Sequence, residues 1–231
     1  MSVFGSLIDQ TEVISILKDA VEASRMVDNK TQSMTNTWLF TGPPGSGRSN
    51  AAIAFAAALV CKDGGCSKCN DCMSTIIGTH ADVELIKTAG LSIKIDEVRE
   101  LISRASWAPS VANYRVVVME DADRLTESAA NALLKVIEEP GLRTIWLLCA
   151  PTLTDVLPTI RSRCRHLSLR TPSTKAIAKL LIERDGVESG TADFVARASG
   201  GHIGRARRLA TDSTARENRS NIMNDYTNIH W

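Results

Sequence analysis

Aromatic residues are scarce in this chain, 4% of 231 residues, and Trp107, Tyr114 and Trp231 are scattered along it. Surfaces that stack nucleobases need clustered rings, so base-directed single-strand binding is poorly supported. Also missing are an apolar run long enough for a membrane span and the charged-then-apolar pattern of a secretion signal. The expectation is therefore a cytoplasmic protein with no membrane partner. Disulfides form poorly in that compartment, so the six cysteines need another role. There is no internal repeat and no low-complexity tract. The formal net charge of +1 selects no partner by itself. It is unevenly spread, however: residues 161–231 hold 13 Lys/Arg against 7 Asp/Glu, and residues 1–160 hold 14 against 19. The basic last third suits either nucleic acid, an acidic neighbour or plain solvation.

What is present has an alternating rhythm. Thr11–Val27 carries apolar residues at helical spacing, and Asn29–Asn36 is polar loop. Thr37–Thr41, Asp82–Ile86, Arg115–Glu120, Thr144–Cys149 and His166–Leu169 read as strands. Between them Ser49–Val60, Ile95–Trp107 and Ser128–Ile137 read as helices, the last ended by Glu138-Glu139-Pro140-Gly141. Alternation of this kind predicts an α/β fold, a parallel sheet covered on both faces. After Arg170-Thr171-Pro172 the pattern changes to helices alone, at Thr174–Arg184, Ala192–Ala198 and Ile203–Thr211. Asn218–Trp231 is polar and supports no assignment.

Cys61, Cys66, Cys69 and Cys72 fall within twelve residues. A C-x2-C pair lets two sulfurs of one turn reach an ion, and four thiolates complete a tetrahedral zinc site. Gly64 and Gly65 let the chain turn back, and Lys62 and Lys68 offset thiolate charge. Free thiols or a redox pair are the competing readings, but redox chemistry needs two cysteines, not four. With all four positions filled by protein, the zinc would be structural. Cys149 and Cys164 read as core residues.

Gly42-Pro43-Pro44-Gly45-Ser46-Gly47-Arg48-Ser49 has P-loop spacing between a strand and a helix. Its glycines allow backbone N–H groups to converge on phosphate ahead of a positive helix end. The lysine position, however, is Arg48, a planar fork in place of a compact point charge. Glu120 and Asp121 end a buried strand, where α/β sheets gather ligand chemistry. In P-loop ATPases acids there hold magnesium and orient water, but the order here is Glu-Asp instead of Asp-Glu. Asp123 is a further candidate ligand. The bland alternative is that these acids cap the following helix.

These motifs together resemble the clamp-loader ATPases of the AAA+ class found in bacterial DNA polymerase III. The matching segments are Phe4–Gln10, the P-loop, the four-cysteine insertion, Glu120–Asp123, Asn131–Lys135 running into Glu138-Glu139-Pro140, and Ser162-Arg163-Cys164. The resemblance spans about residues 3–212. It implies an AAA+ domain over 1–170 with a zinc module at 61–72, and a small all-α lid domain over 171–231. The resemblance also implies a helical collar domain; no segment after Asp212 fits it, so the expectation is either a truncated form or a collar that lies outside this sequence. Two kinds of member carry the zinc insertion, a motor (gamma/tau) and a stator that does not itself drive hydrolysis. Arg48, the Glu120-Asp121 order, the missing polar sensor in Cys149-Ala150-Pro151, Gly204 at the second-sensor position and Asp9 in place of a glycine all favour the stator.

The resemblance further implies that Arg163 is a finger reaching into a neighbouring subunit's ATP; a surface salt bridge is its bland alternative. It implies gamma/tau and delta as ring partners, with the sliding clamp and primed DNA engaged indirectly. ATP and Mg2+ are weakly supported in its own pocket, formed by Gly42, Gly45, Ser46, Gly47, Arg48, Ser49, Glu120 and Asp121. The competing functions are an ATP-hydrolysing gamma/tau-like motor and a zinc-containing DNA-binding module.

Overall fold

The computed structural model describes residues 2–25, 35–88, 90–141 and 143–211. They form two compact units. One holds the described residues of Met1–Pro43 and Gly47–Leu169, the other those of Pro44–Ser46 and Arg170–Trp231.

The first unit is built on five strands: β1 (Thr37–Thr41), β2 (Val83–Ile86), β3 (Arg115–Met119), β4 (Thr144–Ala150) and β5 (Arg165–Ser168). All neighbours are parallel, in the order β2-β3-β4-β1-β5. The central β4 is buried along its whole length, which its unbroken Ile145–Ala150 apolar run anticipates. Its helices are α1 (Thr11–Ala23), α2 (Arg48–Val60), α3 (Asn70–Ile77), α4 (Ile95–Ala105), α5 (Glu127–Glu138) and α6 (Pro158–Arg161).

Strand side chains alternate between two cores. Trp38, Phe40, Val116, Val118, Leu147 and Cys149 pack with α1 and α2. Leu39, Val117, Met119, Trp146 and Leu148 pack with α4 and α5. The buried alanines of α2 keep its side of the sheet thin, and Phe55 meets Trp38 edge-on at 5.0 Å between ring centres. Burial of each large apolar side chain contributes about 1.5–3 kcal/mol.

The sheet edges also have polar clamps. Asp82 lies just before β2 and is 1% exposed. Its carboxylate accepts from Ser110 N (2.7 Å), Ser110 Oγ (2.9 Å), Val111 N (2.7 Å) and Ala112 N (2.7 Å). Burial raises its pKa, but these donors outweigh burial and bring it down to about 2. One carboxylate thus fixes the loop that feeds β3.

The second unit contains α7 (Thr174–Asp185), α8 (Ser189–Ala198) and α9 (Ile203–Thr211) around Ile177, Leu181, Val195 and Ala206. Arg207 makes a two-point pair with Asp185 at 2.8 and 3.1 Å. Gly201 adopts φ +88°, and a Cβ there would sit 1.9 Å from Thr171 Cγ2.

Several boundaries differ from the sequence reading. α1 stops at Ala23, where Ser24 N–H bonds back to Ala20 O; Met26 and Val27, most of the Asn29–Asn36 loop, and all of Asn218–Trp231 lie outside the described residues. α3 has no counterpart in that reading. Its Met73, Ile76 and Ile77 face outward while Cys72 and Thr75 are buried, so its pattern is inverted. α6 is too short to show a period, and it starts with proline, which suits a first turn. α8 begins at Ser189, before Ala192, because Glu188 accepts from Gly190 N and Thr191 N and caps a glycine-containing turn.

Candidate functional site

The four cysteines converge at the C-terminal end of α2. Cys61 ends that helix, Cys69 caps the start of α3, and Cys72 lies in its first turn. Their sulfurs all lie within 4.8 Å of one another. Cys61 Sγ is 3.7 Å from Cys66 Sγ and 3.6 Å from Cys69 Sγ. Four thiolates about 2.3 Å from one tetrahedral ion would be about 3.8 Å apart, so the donor set fits a metal. Backbone N–H groups point at the sulfurs: Asp63 N at Cys61 (3.3 Å), Cys69 N at Cys66 (3.4 Å) and Cys72 N at Cys69 (3.4 Å). Burial raises the Cys61 thiol, but the N–H groups of Cys66, Gly65 and Asp63 outweigh it and bring it down to about 6. Cys69 and Cys72 are raised, first by burial and then by neighbouring sulfurs. Without a cation, four such close thiols cannot all ionise.

The turn between Cys61 and Cys66 depends on glycine. Gly65 has φ +97°, and a Cβ there would meet Val3 Cγ2 at 2.5 Å. Gly65 O accepts from Val3 N (3.0 Å), and Arg25 Nη2 donates to Cys61 O (2.6 Å). Arg25 and Asp82 are supports that the sequence reading missed; neither belongs to a motif.

The nucleotide-type residues of the first unit gather at the opposite, C-terminal edge of the sheet. Gly42 follows β1, and its N–H donates to Pro151 O beyond β4 (3.1 Å). Gly47 opens α2 with φ +87° and open space where a Cβ would stand. Ser49 is half-buried in the first turn. Gly45 (φ +91°) and the buried Ser46 belong to the second unit. Arg48 turns back on its own loop: Nη1 donates to Gly42 O at 2.8 Å, and Nε is buried with no hydrogen-bond partner among the described residues. Glu120 and Asp121 leave β3 half-buried, with β4 between them and β1. Cys149 on β4 is raised chiefly by burial; Arg48 lowers it, and Glu120 and Asp121 raise it. Asp123 Oδ1 is buried with no hydrogen-bond partner among the described residues. The acids do not cap α5, whose cap is Thr126 Oγ1 accepting from Ala129 N (3.3 Å).

Arg163 sits in the turn between α6 and β5, at the N-terminal edge of the sheet. It pairs with Glu138 at 2.6 Å, and its Nη1 donates to Thr159 O at 2.9 Å. The flanking arginines are engaged elsewhere. Arg161 donates to Leu153 O (3.3 Å), and Arg165 lies 4.8 Å from the centre of the Trp38 ring. Cys164 packs against the core, and burial pushes its thiol up to about 12. Trp38 and Trp146 are buried and Trp107 is exposed, while Trp231 lies outside the described residues. Among the described residues no helix is long and apolar enough to cross a membrane.

The family model described as DNA polymerase III, delta subunit, matches residues 14–173. The DNA polymerase III subunit delta' of Bacillus subtilis (strain 168) is 30% identical over 224 residues, covering 96% of this chain and 65% of the relative. The gamma/tau subunit of Mycobacterium tuberculosis (strain H37Rv) is 32% identical over 208 residues, covering 86% of this chain and 35% of the relative. The chain thus spans less than two thirds of either relative. The Thermotoga maritima RuvB Holliday junction branch migration motor shares the fold, with a TM-score of 0.63 at 19% identity over 88% of this chain and 61% of that one. The architecture is an AAA+ P-loop fold whose four cysteines form a site able to hold a metal, and by its matching residues the chain belongs to the DNA polymerase III delta-subunit family.

Proposed function

We propose that this chain is a delta-prime-type stator of a bacterial clamp loader, acting in the cytoplasm beside gamma/tau and delta. In this reading it helps load a sliding clamp on primed DNA and supplies Arg163 to a neighbour's ATP. One observation carries the proposal. Arg163 lies at the N-terminal sheet edge, while Gly47, Arg48, Glu120 and Asp121 lie at the C-terminal edge. A five-residue strand separates the edges by about 15 Å. This separation supports the reading that Arg163 serves a neighbour's nucleotide rather than its own pocket. A guanidinium beside a transferring phosphoryl group stabilises the charge that spreads over its oxygens.

The pocket at the other edge supports the same reading. Arg48 is committed to Gly42 O, so the charge that should face phosphate faces the loop. ATP and Mg2+ there, if bound by Gly42, Gly47, Ser49, Glu120 and Asp121, are not expected to turn over. Zinc is the metal proposed for Cys61, Cys66, Cys69 and Cys72. It would cross-link α2 to α3 and leave no open coordination position.

The test uses the assembly reconstituted with the gamma/tau and delta subunits of the same organism. Arg163→Ala should lower DNA-stimulated ATP turnover at the adjoining site at least tenfold while the subunits still co-elute. Unchanged turnover removes the trans-arginine role. Brisk phosphate release by the wild-type chain alone would instead support the motor alternative.

A further inference from the structure

The Arg163 guanidinium is already occupied. Nη2 lies 2.6 Å from Glu138 Oε1, and Nη1 reaches Thr159 O at 2.9 Å and Ser162 Oγ at 3.3 Å. Glu138 is the last residue of α5, and Arg163 follows α6, so two packed helix ends bring the charges together. We propose that Glu138 holds Arg163 in a charge-neutral resting contact, which opens when a neighbouring subunit brings its nucleotide phosphates to this edge. Glu138 is then a positioning residue that sets how readily the arginine is delivered. The inference rests on the trans-arginine reading above.

The physical argument is one of charge and exposure. A carboxylate at 2.6 Å cancels most of the guanidinium field beyond the pair. It also repels an incoming phosphate. The pair must therefore open before Arg163 can act on a partner's nucleotide. Opening is easy, because the Arg163 and Glu138 side chains are 40% and 47% exposed. An exposed pair of this kind shifts an equilibrium by about two- to fivefold. The Nη1 contacts with Thr159 and Ser162 are independent of Glu138, so they keep the group at the edge once Nη2 is released. Of its neighbours, Arg161 bonds a backbone carbonyl and Arg165 lies over Trp38.

The test compares wild type, Glu138→Gln, Glu138→Asp and Arg163→Ala in the reconstituted assembly with ATP as the varied ligand. Glu138→Gln should lower the half-saturating ATP concentration about two- to fivefold, with kcat within twofold of wild type. Glu138→Asp, which retains the charge, should return toward wild type. High salt should narrow the gap between wild type and Glu138→Gln, because it screens the same pair. If Arg163→Ala lowers turnover but Glu138→Gln matches wild type, the resting contact is overturned and the trans-arginine reading stands. The resting contact is likewise overturned if Glu138→Gln loses kcat as Arg163→Ala does, since Glu138 would then be holding the active orientation. If Arg163→Ala has no effect, the trans-arginine reading falls and this inference falls with it.

Discussion

The metal module and the P-loop edge sit at opposite ends of α2, and they treat their polar groups differently. At the module, four sulfurs face one point, backbone N–H groups face the sulfurs, and Arg25 holds the Cys61 carbonyl. Nearby on the same sheet edge, Asp82 is met by four donors. At the P-loop edge, Arg48 bonds its own loop, and both its Nε and Asp123 Oδ1 are buried without hydrogen-bond partners among the described residues. The difference teaches that one helix can carry a converging donor set at one end and an arginine folded onto its own loop at the other. A structural site needs only to close on its ion, whereas a hydrolytic site needs charges aimed outward at a substrate.

The largest effect that would break this contrast is loss of the module's metal. Purified protein should contain about one zinc per chain, and Cys69→Ser should abolish it and cost several kcal/mol of unfolding free energy. Metal should also leave on acidification, because protons compete for the thiolates. A metal-free wild type with unchanged stability would remove the structural role.

A smaller effect tests the Asp82 clamp on the same edge. Its folded pKa of about 2 lies below the ordinary value of 3.8. The stabilisation is therefore present above about pH 4 and is lost as pH falls through about 2. It amounts to about 2 kcal/mol. Asp82→Asn should be less stable than wild type by about that amount at pH 7 in denaturant titrations, and the gap should shrink between pH 4 and pH 2. A gap independent of pH would deny the carboxylate its charge-based role.

The smallest effect is expected at the P-loop edge. Arg48→Lys restores the compact ammonium usual in a P-loop but leaves the Glu120-Asp121 order. Phosphate release by the isolated variant should stay within about threefold of wild type, with stability within about 1 kcal/mol. A tenfold rise in turnover would show that Arg48 alone disables the pocket and would sharpen the contrast to one residue.

Much of this is legible along the chain. The β3 and β4 runs read as buried parallel strands because both their faces are covered, which requires continuous apolar sequence. The cysteines read as one site because their spacing leaves little freedom once the glycines turn the chain. Asp9, read from the resemblance as standing in for a glycine, sits at φ +57°. Aspartate tolerates that conformation better than most side chains, which fits that reading. α3 is not legible, because its apolar residues point to solvent and its buried ones are Cys72 and Thr75. The roles of Arg25 and Asp82 are also hidden, since each acts on backbone far away in sequence.

By itself the sequence determined the parallel α/β architecture, the four-thiol module and the substituted P-loop, because each is written in local spacing and side-chain type. The tertiary structure alone decided where the charges point. It turned Arg48 onto Gly42, set Arg163 against Glu138, and put the two arginines at opposite sheet edges. Those outcomes depend on which distant groups packing brings within hydrogen-bond reach, and no local pattern in the chain encodes that distance.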